Sequence, residues 1–281
     1  MGWGQMKVTY TAAWVGFTAA ALLTTSACGA DSVRQAADAV DKTDAIMAAL
    51  SRATDRTEKL GSAEVKMTTD LGTGTPIAMD GTYSWGDGLA YDVEMDTAAS
   101  QMQSVQDDPT IRALLVDGVY YYDVDPQVSG PLKGKEWMSV DASALVGESG
   151  MASLSNGGAS NPTQSLKSLR YAKDVEDLGT ESVNGQQATH YRAVIDASRM
   201  GVLQNANKEG SLLNDMTGSV SSVTMDVWLG EKDLPVRLKQ DMGRMKVTMD
   251  FNEFGATAAI KAPPAAQTAD MTQLLKDSQQ S

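Results

Sequence analysis

Few residues of this chain have the types and spacing that chemistry requires. His190 is the single histidine. It stands beside Tyr191 and Arg192 in a stretch with strand-like alternation. A general base needs an orienting partner within hydrogen-bond reach, and the surrounding sequence signals none. Metal sites need several histidines, cysteines or well-spaced carboxylates. Asp107-Asp108 and Asp123-Val124-Asp125 are too slight for a calcium loop, and most other acids alternate along strands as a solvated face does. No glycine cluster has the spacing of a phosphate-binding loop. These patterns predict no catalytic residue, no metal and no cofactor. Cys28 is the single cysteine, so an internal disulfide is excluded, and its position matters more than its number.

Residues 1–27 contain one charged side chain, Lys7. The apolar run Tyr10 to Leu23 is shorter than the ~20 residues a membrane span needs and has the length of a signal-peptide core. Met6, just before Lys7, is an alternative start to the same segment. Thr24-Thr25-Ser26-Ala27-Cys28-Gly29 resembles a bacterial lipobox, although Thr25 occupies a position that is usually Leu. The resemblance implies a signal peptide over 1–27, cleavage before Cys28 and a diacylglycerol thioether on Cys28. Two acyl chains are what stable anchoring takes. The expected location is therefore the cell membrane, lipid-anchored, on the extracytoplasmic side.

The bulk composition narrows the partners. The formal charge is −13, which argues against nucleic acid, whose binding needs a basic footprint, and against docking on anionic head groups. Hydrophobic residues make up 42% of the chain, enough for a core, and 16 are Met. Methionine is flexible and polarizable and suits irregular apolar surfaces.

The elements follow from periodicity. Residues 28–42 are polar and Ala-rich and read as a tether or a frayed helix start. Thr43 to Leu60 has helical spacing at Ile46, Met47, Leu50 and Ala53, with Asp44 as cap and Gly61 as stop. Alternating strands follow: Ala63 to Thr69, Ile77 to Trp85, Leu89 to Asp96, Ile111 to Val116, Val119 to Val124 and Trp137 to Val140. Tyr120, Tyr121 and Tyr122 are consecutive, so their rings fall on both faces of one strand. A Gly/Ser-rich stretch, 141–161, interrupts the pattern before a helix begins at Pro162. Asn184-Gly185 marks a tight hairpin, and helix is expected over Ala197 to Asn207. Ser219 to Met242 reads as a hairpin with Val223, Met225, Val227 and Leu229 on one face. On its return strand Leu234, Val236 and Leu238 alternate with Arg237 and Lys239. Trp228 breaks the polar face and is expected to pack under a neighbouring loop. Met245, Val247, Met249 and Phe251 alternate next, and a last strand ends at Ile260 before Pro263-Pro264. One domain is expected over 43–264, with a tail over 265–281.

Three stretches resemble the LppX/LprAFG lipoproteins, relatives of the LolA/LolB carriers. The first is Val175-Glu176-Asp177-Leu178-Gly179-Thr180-Glu181 with Val183-Asn184-Gly185, Thr189-His190-Tyr191-Arg192 and Asp196. The second is Asp226-Val227-Trp228-Leu229 with Leu234-Pro235-Val236-Arg237. The third is Phe251-Asn252-Glu253-Phe254-Gly255 with Ile260 and Pro263-Pro264. The signatures lie within 162–264. The resemblance implies an α+β fold: a strongly curved antiparallel β-sheet, or half-barrel, with a few helices covering its concave face. Between them it implies an apolar cavity for acyl chains, and no catalytic residues.

The apolar sheet positions are the candidate lining of such a cavity: Met67, Ile77, Met79, Tyr83, Leu89, Tyr91, Val93, Met95, Val223, Met225, Val227, Met245, Val247 and Met249. The expected activity is binding or carriage of a lipid or other apolar ligand by a monomeric, membrane-anchored protein. The alternative is an envelope lipoprotein with a filled core that docks a protein partner, scaffolds or senses.

Overall fold

The structure is a computed structural model. It describes residues 29–72, 74–86, 88–144, 162–172, 174–199, 220–255 and 259–278, with side chains from Lys42 onward. The chain falls into two compact units, Met1–Asp41 and Lys42–Ser281, and the sheet belongs to the second. Cys28, the signal segment, most of the 141–161 stretch and residues 200–219 lie outside the described residues.

Helix α1 runs from Gly29 to Leu60. From Gly29 the stretch read as a tether or a frayed helix start is helical, and Asp44 is interior rather than a cap. The reason lies in its composition: Ala30 to Lys42 holds no Gly or Pro and carries Ala36, Ala37 and Ala39 among other good helix formers. Gly61 ends the helix at φ +71°, with its N–H donating to the Thr57 carbonyl at 3.3 Å. Within the second unit, Ile46, Ala49, Leu50 and Ala53 join the main core. That 3–4 residue spacing is the apolar stripe of an amphipathic helix.

Twelve strands form one curved, unclosed sheet. They are β1 Ser62–Asp70, β2 Ile77–Ser84, β3 Ala90–Asp96, β4 Thr110–Val116, β5 Val119–Asp123, β6 Trp137–Asp141, β7 Val175–Val183, β8 Gln186–Asp196, β9 Ser222–Leu229, β10 Pro235–Met242, β11 Met245–Phe254 and β12 Thr268–Asp270. The order is β12-β6-β5-β4-β3-β2-β1-β11-β10-β9-β8-β7. All pairs are antiparallel except β12 with β6, which is parallel. A final strand is expected up to Ile260; β11 instead ends at Phe254, residues 256–258 lie outside the described residues, and the next described strand is β12 at Thr268. Over 197–207, the described portion is a single 3₁₀ turn, Ala197–Arg199.

Helix α2, Pro162–Ser168, continues as a 3₁₀ turn through Tyr171 and buries Leu166 and Leu169 in the core. The Gln240 side-chain amide donates to Ser165 Oγ at 2.7 Å, fixing α2 over β10. Helix α3, Thr272–Ser278, follows β12. The α+β half-barrel expected from the sequence is the observed architecture.

Two details of the β9–β10 hairpin depart from strict alternation. The register shifts between Pro235 and Arg237, so Val236 sits in a bulge. It packs with Val183, Ala188 and Trp228 in a small outer cluster, while Leu238 joins the main core. Leu234, Val236 and Leu238 thus do not share one face. A bulge sets one extra residue into one strand and so shifts the in–out phase of the residues beyond it.

Candidate functional site: a methionine and tyrosine trough

Antiparallel register aligns the concave-face residues in rows across the strands. One row reads Tyr191, Val227, Leu238, Met249, Met67, Met79, Met95 and Ile111, from β8 to β4. Four consecutive members are methionines. The adjacent row reads Phe251, Val65, Gly81, Val93, Ala113, Tyr122 and Met138. The next reads Ala63, Tyr83, Tyr91, Leu115, Tyr120 and Val140. Over β2, β3 and β4 the small residues Gly81, Val93 and Ala113 form a row of low side chains, a trough in the sheet face whose Val93 and Ala113 are themselves buried. Met79 and Met95 stand along one side of it, and Tyr83 and Tyr91 along the other.

Gly81 fixes that row. A Cβ there would lie 2.2 Å from the Asp92 carbonyl oxygen and 2.9 Å from Val93 Cα. Both are backbone atoms, so β2 and β3 approach closely only because this position lacks a side chain.

The tyrosines form a continuous ladder. Ring centroids are 5.4 Å apart for Tyr83 and Tyr91, 6.3 Å for Tyr91 and Tyr120, and 6.4 Å for Tyr120 and Tyr122. Tyr83 is fully buried, and its Oη lies 3.9 Å from Met67 Sδ and 3.8 Å from Met79 Sδ. Tyr91, Tyr120 and Tyr122 are only half-buried by exposed area. Burial nevertheless pushes the Tyr91 phenol well above its usual range, and the neighbouring phenols push it further. Burial raises Tyr120 as well, and takes Tyr122 up to about 12. These rings keep part of their area accessible while protein surrounds them on the other sides.

The predicted lining residues are placed as follows. Met67, Tyr83, Val93, Met95, Val223, Met225, Val227, Met245, Val247 and Met249 lie in the main core, and Met79 and Tyr91 are half-buried against it. Ile77 and Leu89 are half-buried outside that cluster, Ile77 opening β2 opposite Thr69 and Leu89 preceding β3. Tyr120, Tyr122 and Met138 share the face and were missed. The run of three tyrosines was the available signal, since one face of β5 had to receive two rings.

Cover is uneven. Arg52 pairs with Asp233 at 2.9 Å, Arg56 donates to the Lys232 carbonyl, Lys167 pairs with Glu58 at 2.8 Å, and Trp85 Nε1 donates to the Thr57 carbonyl at 2.9 Å. These contacts carry α1 across the strand ends from β2 to the β9–β10 turn, with α2 beside it. Over β3–β5, the described cover includes Met102, from the connection after β3, packed against the core.

The outer face carries a second arrangement. His190 has partners that its sequence neighbours do not announce: Nε2 lies 2.7 Å from Asp226 Oδ1 and Nδ1 lies 3.3 Å from Glu181 Oε1. Arg192 Nε donates to the same Asp226 oxygen at 2.7 Å, and Trp228 Nε1 donates to Glu181 at 2.5 Å. Trp228 packs against residues of the β7–β8 hairpin, as expected of a residue under a neighbouring segment. A cleft of about 490 Å³ lies nearby, lined by Asp174, Glu176, Arg192, Val194, Asp196, Ser221 and Ser222. It shares no residue with the trough. Among the described residues there is no group of three metal-ligating side chains, and no helix is long and apolar enough to cross a membrane.

The geometry defines a fold: an unclosed antiparallel half-barrel with an apolar concave face, the fold of LppX. The crystal structure of the Mycobacterium tuberculosis lipoprotein LppX has a TM-score of 0.50 to this chain at 17% identity, covering 78% of this chain and 99% of that one. LprF from Mycobacterium bovis covers 78% of this chain and 97% of its own, at 14% identity and a TM-score of 0.48. In sequence, an uncharacterized 31.2 kDa protein of Streptomyces griseus is 28% identical over 247 residues, 82% of this chain and 80% of that one. A predicted lipoprotein of Streptomyces coelicolor is 24% identical over 238 residues, 81% and 75% of the two chains. No family model matches the chain. The fold thus agrees with the family that the signatures within 162–264 resemble.

Proposed function

We propose that this chain is a lipoprotein, anchored through Cys28 on the extracytoplasmic side of the membrane, that binds or carries a lipid or other apolar ligand on the concave face of its sheet. The observation that carries this reading is the trough over β2–β5. Met79, Tyr91, Tyr120 and Tyr122 there keep accessible area, and an apolar face of this kind gains about 0.8 kcal/mol per methylene it desolvates. The lipobox resemblance and the likeness to a predicted lipoprotein support the anchor.

The reading is tested by purifying the full chain from membranes without added lipid and analysing an organic extract by mass spectrometry. Co-purifying lipid at near-stoichiometric amounts is expected. A lipid-free protein that also takes up no fluorescent acyl probe would overturn it.

The alternative is an envelope protein whose core is filled and whose surface docks a partner. The observation favouring it is the near-complete burial of the β9–β11 part of the same face, where Val223, Met225 and Met249 have no exposed area. Mutating Met79 and Met95 to tryptophan separates the two. Filling the trough abolishes probe uptake if it holds ligand, and leaves partner docking untouched.

A further inference from the structure

We infer that the free edge of β7 is a docking site for an extended, lysine- or arginine-rich segment of another polypeptide, which adds to the sheet as a further strand. Docking there does not depend on what the concave face holds. Among the described residues β7 stands last in the sheet order, paired with β8 on one side and with no strand on the other. An edge strand presents a row of N–H and C=O groups that no neighbouring strand takes up, and in an antiparallel pair every second residue turns these groups outward. β7 is nine residues long, a run of about 30 Å. At the opposite end of the sheet the chain lays a short parallel strand, β12, beside β6 and follows it with α3.

Every residue of β7 from Glu176 to Ser182 is exposed, so both faces of the strand meet solvent, and only Val183 is buried. Its backbone is held by one ladder with little side-chain packing, and Leu178 stays 46% exposed near its middle. An added strand supplies a second ladder and covers Leu178. The strand carries Glu176, Asp177 and Glu181 and no lysine or arginine. A second copy of this chain, pairing antiparallel through β7, would set acid against acid, and like charges across a strand pair are destabilising. A basic segment meets the opposite condition. The cleft of about 490 Å³ opens at the N-terminal end of the same strand. Asp174, Glu176 and Asp196 line it against one guanidinium, Arg192, whose Nε already donates to Asp226 at 2.7 Å. A cationic side chain of the docked segment fits that end. The bulge between Asp177 and Gly179 divides the edge, and the Gly179 N–H there donates to Asp177 Oδ1 at 2.9 Å, so pairing falls on either side of it.

The test titrates three fluorescent decapeptides into the full chain purified from membranes in detergent: alternating Lys-Thr, alternating Glu-Thr, and the Lys-Thr peptide N-methylated at every second residue. N-methylation keeps the charge and removes donors that an edge strand needs. The Lys-Thr peptide is expected to bind about tenfold or more tightly than either of the others, with an affinity that falls as salt rises. Deuterium exchange at the β7 amides should slow when it is bound. Glu176→Lys should weaken binding by about fivefold or more, and Glu253→Lys, which changes the net charge equally on β11, should weaken it less. Matching thermal melts of the two variants show that folding is intact, and the N-methylated peptide tests the pairing without any substitution. Equal binding of the N-methylated peptide reveals adsorption by charge alone and overturns the inference. Protection confined to amides outside β7, or no binding at millimolar peptide, overturns it too. Self-association of the chain with β7 protected assigns the edge to a second copy and overturns it likewise. All of these outcomes leave the lipid reading standing.

Discussion

The imidazole of His190 lies nearly parallel to the indole of Trp228, with ring centroids 4.0 Å apart and an 18° angle between planes. The two residues are direct cross-strand partners on β8 and β9. Lys239 Nζ stands 5.3 Å from the indole centroid. An aromatic on a polar sheet face thus becomes a small outer core, closed by the β7–β8 hairpin and the bulged Val236. Here His190 is an element of structure, held by two carboxylates and a ring.

Trp228 should therefore matter to stability more than its place on the outer face suggests. It is 5% exposed, and Trp228→Ala removes the stack, the Glu181 hydrogen bond and most of the cluster. A loss of about 3–5 kcal/mol is expected in denaturant unfolding, while Trp228→Phe, which keeps a ring, should lose less. A loss below ~1 kcal/mol for the alanine variant would refute this account of the outer cluster.

Gly81 predicts a sharper contrast. Gly81→Ala drives a Cβ into the backbone of β3, which cannot move without breaking the ladder. A loss of more than about 3 kcal/mol, or failure to fold, is expected. Gly74, whose added Cβ meets nothing within 4 Å, is the control. Gly74→Ala should change stability by no more than ~0.5 kcal/mol. Melting both variants side by side checks the pair.

Much of this was legible in the sequence. Period-two alternation marked β1–β3 and β9–β11 because each of these strands has one face more buried than the other, and the turns at Asp117-Gly118 and Asn184-Gly185 marked their hairpins. Three things were not legible. The bulge at Val236 depends on pairing with a partner strand, which alternation within one strand cannot report. The partners of His190 come from β7 and β9, and are brought together only by the sheet. The methionine row needs the register of four strands at once: Met249, Met67, Met79 and Met95 are aligned by pairing, not by sequence spacing. The short β12 was also hidden, since three residues show no period and it pairs with a strand 131 positions away.

The tyrosine ladder has a spectroscopic signature. The folded protein holds the Tyr122 proton up to about 12, and Tyr91 is raised well above its ordinary value. In the unfolded chain both titrate near 10. Their contribution to stability is present below pH ~10 and is lost as pH rises through the folded values, because the unfolded state then releases protons that the folded state retains. A titration followed by phenolate absorbance should show a late group of tyrosines, and Tyr122→Phe should remove one member. Complete titration near pH 10 with the protein still folded would contradict this burial.

The docking of α1 offers a choice between an apolar and an ionic cause, and the two make different predictions. Leu50 is 2% exposed in the main core, so Leu50→Ala should cost about 2–5 kcal/mol. The Arg52–Asp233 pair bridges the same helix to the β9–β10 turn, but its side chains are 52% and 28% exposed. Exposed pairs are worth little, typically under ~1 kcal/mol, and Asp233→Asn should fall in that range. The pair still leaves a mark in pH. The hydrogen bond from Arg52 holds the Asp233 carboxyl below its ordinary value. Its contribution is present above the ordinary carboxylate range and disappears as pH falls through the lowered value. The Asp233→Asn penalty should therefore shrink below about pH 4, while the Leu50→Ala penalty should not depend on this titration. Urea unfolding of both variants at pH 7 and pH 3 decides between them. If Asp233→Asn costs more than Leu50→Ala at pH 7, the helix is held over the sheet by charge and the apolar stripe is secondary.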